Sequence, residues 1–345
     1  MLITYFSKAF TLHEDPVNPH PESPERVLMA FSIVKEVVPK EELRVIEPPT
    51  PSRSIVELIH EREYVEHVEN ESKKGFHYID ADTYVNEHTF KVALLAASAA
   101  WNAADVSLEV RAPVLALVRP PGHHAGRSGP AMGASSNGFC IFNNAAIATR
   151  NFIDKGLKTM VLDFDAHHGN GTQEIFWYEP GVLHVDIHEY GIYPGTGSVN
   201  DVGGAGAEGT KINVPLPHGA GNREFMWVVH EVLPRLVEAF KPDALVVSAG
   251  FDSHVLDPMS SLGASDEVFV ALGSFVAELT QRHAKGAVVV LEGGYGNALP
   301  AGLRGFLRGF SRKAVKEYAL TPAEDTWARD VAAVLERYWG IELRG

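Results

Sequence analysis

The segment Asp163-Phe164-Asp165-Ala166-His167-His168-Gly169-Asn170-Gly171 directly follows the apolar run Thr159-Met160-Val161-Leu162. A β-strand alternates its faces, so strand geometry would send Asp163, Asp165 and His167 to one side at a buried strand end. Buried carboxylates are costly unless a cation or several donors meet them, and carboxylates beside an imidazole are metal-ligand types. Three more segments place polar chemistry after an apolar run. Pro120-Pro121-Gly122-His123-His124 follows Leu115-Ala116-Leu117-Val118, and Ser248-Ala249-Gly250-Phe251-Asp252 follows Leu245-Val246-Val247. Glu292-Gly293-Gly294-Tyr295-Gly296 follows Val288-Val289-Val290-Leu291.

Asp165, His167 and Asp252 make a three-ligand set with an open fourth position, the arrangement of a catalytic zinc that holds water. Two oxygen donors also suit Fe2+, Co2+ or Mn2+. Such a metal makes water hydroxide-like near neutral pH and polarises a carbonyl. His123 and His124 point apart in an extended chain, but a bend at Pro121-Gly122 could aim both at the reacting water and leaving group, one as general base and one as general acid. Asp163 can accept from His123. Asn170 can orient His124 without adding charge, which leaves that imidazole with the lower pKa. Tyr295 offers a hydroxyl to a developing oxyanion.

Each feature has a plainer reading when taken alone. One acid at a strand end can be satisfied by backbone donors, paired histidines can sit in a turn, and a tyrosine can simply pack. Their convergence on strand ends favours catalysis. Cys140 reads as an inert buried thiol, His184 and His188 as structural groups on another strand, and Met226 and Trp227 as a helix face packed on a sheet.

Loops of this kind need a scaffold. Strands are expected at Leu2–Tyr5, Val114–Val118, Met160–Phe164, Val182–Ile187, Lys211–Val214, Ala244–Ser248 and Ala287–Leu291. Helical patterns cover Pro24–Val37, Arg62–Lys73, Glu87–Leu108, Asn143–Lys155, Arg223–Phe240, Asp266–His283 and Ala323–Arg337. The alternation predicts an α/β fold, an open parallel sheet with helices on both faces. Long Gly- and Pro-rich stretches at 119–138, 190–209 and 251–263 follow strands, so they form the crevice at the carboxyl ends of the sheet. No repeat or linker divides residues 1–345, which reads as a single catalytic domain.

The chain has 345 residues, 45% hydrophobic and 21% charged, an ordinary globular composition. Its net charge of −14 and lack of any Lys/Arg block argue against a broad nucleic-acid surface. A single cysteine excludes an intrachain disulfide. With no run of membrane-spanning length and no cleavage-site pattern at Met1-Leu2-Ile3-Thr4-Tyr5-Phe6, a soluble cytoplasmic protein without membrane contact is expected. The long loops leave room for a homo-oligomer interface.

The whole pattern resembles the histone deacetylase superfamily, including acetylpolyamine amidohydrolases and bacterial or archaeal deacetylase-like proteins. The likeness runs from His20-Pro21-Glu22-Ser23-Pro24-Glu25-Arg26 to about Arg304. It is carried by Arg119-Pro120-Pro121-Gly122-His123-His124-Ala125, Gly138-Phe139-Cys140, the Asp163–Gly171 run, Pro194-Gly195-Thr196-Gly197, the Asp252 segment and the Tyr295 loop. The resemblance implies a zinc-dependent amide hydrolase that removes acetyl or other acyl groups from amines, either small molecules or acyl-lysine peptides. Asp165, His167 and Asp252 would be its ligands, and His123, His124 and Tyr295 its catalytic residues, with Asp163 and Asn170 as their partners. Phe139 and Tyr193 would wall a narrow substrate channel, with Gly138 and Met259 beside them. Asn170 and the Leu-Glu-Gly-Gly-Tyr sequence look closer to the class II branch.

Relatives often bind K+ near the strand carrying Asp163, although Asp186 stands here where many have serine. Met259 is not the glutamate that looks like a polyamine gate in one eukaryotic subgroup, which weakly disfavours polyamines. Asp80 and Asp82 are both candidates for a rim carboxylate. Two rivals differ in class. An arginase-like binuclear manganese ureohydrolase shares the Asp165-Ala166-His167 element but needs bridging acids where Gly169 and Gly250 stand. A non-enzymatic binder of acylated ligands would be marked by a missing ligand, and the set is complete.

Overall fold

The structure is a computed structural model that describes residues 1–310 and 325–343. Eight strands form one sheet: β1 (Leu2–Tyr5), β2 (Leu43–Ile46), β3 (Pro113–Ala116), β4 (Thr159–Asp163), β5 (Val182–Glu189), β6 (Lys211–Leu216), β7 (Ala244–Ala249) and β8 (Gly286–Leu291). Their order is β6-β5-β4-β7-β8-β3-β1-β2, and every pairing is parallel. Strands β4, β5, β7 and β8 are buried along their whole length, which is why they read as unbroken apolar runs.

The helices that cover the sheet include α1 (Pro24–Val37), α2 (Thr89–Val110), α3 (Asn144–Asp154), α4 (Asp266–Arg282), α5 (Ala298–Gly309) and α6 (Thr326–Trp339). Helices α2 and α3 pack together on one face, while α4 and α5 pack together on the other with α1 against α5. Among the described residues, no helix is long and apolar enough to cross a membrane.

Three elements differ from the sequence expectation. Strand β2 is half exposed at the sheet edge, so it lacks the apolar run that marks interior strands. Helix α5 contains Pro300, Gly302, Gly305 and Gly309, which read as breakers. Those glycines permit a close helix approach: a Cβ on Gly305 would lie 2.7 Å from the Asp266 carbonyl oxygen. The stretch expected as one helix over 223–240 contains a π-helical turn at Val228–Val232 before its last segment, where Pro234 has no N–H to continue the regular ladder. Ala323 and Glu324, the first residues of the last expected helix, lie outside the described residues.

The strand order explains how distant segments meet. The four central strands β4, β7, β8 and β3 are consecutive neighbours, and each of the four polar segments leaves one of them at its carboxyl end. The order reverses between β4 and β7, the topological position where open α/β sheets bind ligands.

Candidate active site

Strand β4 ends at Asp163, and the chain then leaves the strand path. Simple alternation therefore does not hold beyond this residue, and the three groups separate. Asp163 sits in register between Asp186 on β5 and Ser248 on β7. Asp165 and His167 instead turn toward Asp252, which arrives on the loop after β7. His167 Nδ1 lies 3.1 Å from Asp165 Oδ1 and 2.9 Å from Asp252 Oδ2. Backbone amides support both acids: Ala166 N–H donates to Asp252 Oδ1 (2.8 Å) and Gly293 N–H to Asp165 Oδ2 (2.8 Å).

Two carboxylates this close and almost wholly buried are electrostatically uncomfortable. Burial, followed by the charge of Asp165, pushes Asp252 up to about 6. A divalent cation among these oxygens and the imidazole would relieve that conflict, and the donor atoms lie within 4.8 Å of one another. The residues present thus fit a metal with mixed nitrogen and oxygen ligation.

The tandem histidines lie over this group. Their rings are 4.0 Å apart between centroids, but their outer nitrogens face different partners. His123 Nδ1 is 3.0 Å from Asp163 Oδ2, and His124 Nδ1 is 2.8 Å from Asn170 Oδ1. Burial alone would lower His123, yet Asp163 and then Asp165 outweigh it and hold the imidazole well above its ordinary value. Burial lowers His124 far below its ordinary value, and the charges of His123 and His167 push the same way.

A cavity of about 230 Å³ opens onto these groups, lined by His123, His124, Asp165, His167, Phe139 and Tyr295 among others. Gly138, Tyr193 and Met259 also line it. Tyr193 is fixed by its hydroxyl, which donates to the Ser136 carbonyl (2.8 Å), and its ring meets His124 edge-on. Gly138 has φ +52°, and a Cβ there would lie 2.6 Å from the His124 ring and 2.7 Å from the Tyr193 ring. No larger residue leaves the walls in place.

The histone deacetylase domain model matches residues 20–307. This chain belongs to the histone deacetylase family. A probable deacetylase of Archaeoglobus fulgidus is 36% identical over 347 residues, covering 98% of this chain and 94% of that protein. The crystal structure of the HDA15 HD domain superposes with a TM-score of 0.87 at 30% identity, covering 98% of this chain and 97% of that one. An acetylpolyamine aminohydrolase from Burkholderia pseudomallei gives a TM-score of 0.79 at 30% identity, covering 90% and 99%. Membership implies a metal ion and an acetylated substrate.

Within this family frame the two rim candidates separate. Asp80 accepts backbone N–H groups from Thr83, Asp82 and Asn137, so it orders the loop. Asp82 lines the cavity, while its carboxylate accepts from Ser136 Oγ and Thr83 Oγ1. Cys140 is buried as expected and also lines the cavity, with burial pushing its thiol well up. His184, fully buried, joins Asp163 and Asp186 in a second acidic group within 4.8 Å. Asp186 takes the Gly169 N–H on one oxygen (2.8 Å) and faces His188 Nδ1 with the other (2.7 Å). Met226 and Trp227 are buried.

Sequence reasoning missed three supports. Arg26 lies over the Tyr295 ring at 4.8 Å and donates to the Gly294 carbonyl (2.9 Å). Glu22 and Arg119 form a fully buried ion pair. Asp257 accepts the Tyr295 backbone N–H. Arg26, Glu22 and Arg119 were visible as charged residues inside quoted motifs with no role assigned to them.

Proposed function

We propose that this chain is a zinc-dependent amidohydrolase that removes acetyl or another acyl group from a primary amine, an acyl-lysine side chain or an acetylated polyamine. The observation that carries this reading is the clustering of Asp165, His167 and Asp252 beside one cavity that Asp165 and His167 line together with His123, His124 and Tyr295. Zinc held by the three ligands would activate water and polarise the scissile carbonyl, and Fe2+, Co2+ or Mn2+ suit the same donors.

The remaining work falls to the chain. His124, whose partner Asn170 is neutral, accepts a proton from the attacking water. His123, paired with Asp163 through Nδ1, donates to the departing amine. Tyr295 Oη donates to the developing oxyanion. Phe139 and Tyr193 confine a linear acyl-amine, and Asp82 accepts an N–H of the substrate at the rim. A K+ ion would sit near Asp163, although Asp186 already has partners from the chain on both oxygens. The whole chain is read as one catalytic unit.

The test is acetate or acyl release from acetyl-lysine peptides, acetylated polyamines and longer acyl-lysines by zinc-loaded protein. Turnover of one group identifies the substrate class. Full metal loading without turnover of any amide in the panel would count against a hydrolase and for a binding role.

A further inference from the structure

Tyr295 is carried on a glycine-rich segment. It lies in a segment between β8 and α5, preceded by Gly293 and Gly294 and followed by Gly296, with Gly294 at φ +107° and Gly296 at φ +56°. Such a segment has wide backbone freedom, so the phenol is positioned by whatever ties it down. Asp165 holds Gly293 N–H, and Arg26 holds the Gly294 carbonyl. The N–H of Tyr295 itself goes to Asp257 Oδ2, at 2.6 Å.

Asp257 belongs to the other side of the cavity. It follows the Asp252 ligand on the loop after β7, and its own N–H is held by the His254 carbonyl (2.8 Å). Its second oxygen accepts the Met259 N–H at 2.8 Å, and Met259 lines the cavity. One buried carboxylate therefore joins the metal-ligand loop, a channel wall and the phenol-bearing loop. Each Asp257 oxygen accepts one backbone N–H, whereas asparagine keeps one acceptor and must release one of the two amides.

We propose that Asp257 is a positioning residue that sets the Tyr295 hydroxyl against the reacting carbonyl by holding the Tyr295 backbone amide. This rests on the reading of Tyr295 as the oxyanion donor. A misplacement of about 1 Å at such a group is enough to cost about 100-fold in rate.

The experiment is a double-mutant cycle on kcat with Asp257→Asn, Tyr295→Phe and the pair, using the best acyl-amine substrate, with KM and bound zinc measured for each. The expected result is a roughly 10- to 100-fold loss of kcat for Asp257→Asn. KM should stay within about twofold and zinc at wild-type stoichiometry. In the Tyr295→Phe background the same change should cost less than about twofold, because the hydroxyl it serves is gone. Equal losses in both backgrounds, a loss confined to KM, or loss of zinc would overturn the proposal while leaving the hydrolase reading intact. A wild-type protein inactive on every acyl amine would overturn both.

Discussion

His124 Nδ1 meets the side-chain oxygen of Asn170 at 2.8 Å, a neutral partner, while the adjacent His123 faces the Asp163 carboxylate. Neighbouring imidazoles thus receive opposite electrostatic instructions from their second nitrogens. His124→Ala should lower kcat by roughly 10²–10⁴-fold, the range for a lost acid–base group. Metal binding should persist because His124 is outside the proposed ligand set of Asp165, His167 and Asp252. Steady-state kinetics beside elemental analysis checks both statements.

Tyr295→Phe removes a single hydroxyl from the cavity wall. If that hydroxyl donates to the oxyanion, kcat should fall by about 10²–10³-fold with little change in KM. A wild-type rate from the fully metallated variant would refute the role.

Asp252→Ala should abolish divalent metal binding, and the wild-type protein should hold one catalytic divalent ion per chain. The binuclear alternative meets a steric obstacle as well as missing acids. A Cβ on Gly250 would lie 2.1 Å from Asp165 Oδ2, and one on Gly169 2.5 Å from Asp163 Oδ2. Two tightly bound manganese ions per chain, measured by elemental analysis, would revive the ureohydrolase reading.

Lys211 gives a pH prediction away from the site. Its buried ammonium meets the Val182 carbonyl at 2.9 Å and Thr210 Oγ1 at 2.7 Å, and burial pulls its pKa down to about 7, partly offset by Glu179. An unfolded lysine titrates near ~10.4. Between those values the unfolded chain binds more protons, so stability rises with pH; below about 7 the full penalty applies. Lys211→Met should remove this rise, worth on the order of 2 kcal/mol between pH 7 and 9. Parallel Tm–pH curves for wild type and variant would contradict it.

Much of this architecture was legible because interior parallel strands announce themselves. The runs before Asp163, Asp252, His123 and Glu292 are apolar on both faces, and the chemistry begins where each run stops. Strand β2 gave no such signal, because an edge strand need bury only part of itself. Asp163 shows the limit of periodicity: alternation groups it with Asp165 and His167, but the strand ends there and its carboxylate turns to His123. Arg26 and Asp257 escaped for a different reason. They act through backbone groups of a loop distant in sequence, and only the folded chain shows which amides and carbonyls they reach.

The most direct test is zinc titration of chelator-treated protein, following acetate release from an acetyl-lysine peptide or acetylated polyamine. No release is expected without metal, and recovery should saturate at one equivalent of zinc per chain. Release unaffected by chelation, or recovery that requires two equivalents, would contradict this expectation.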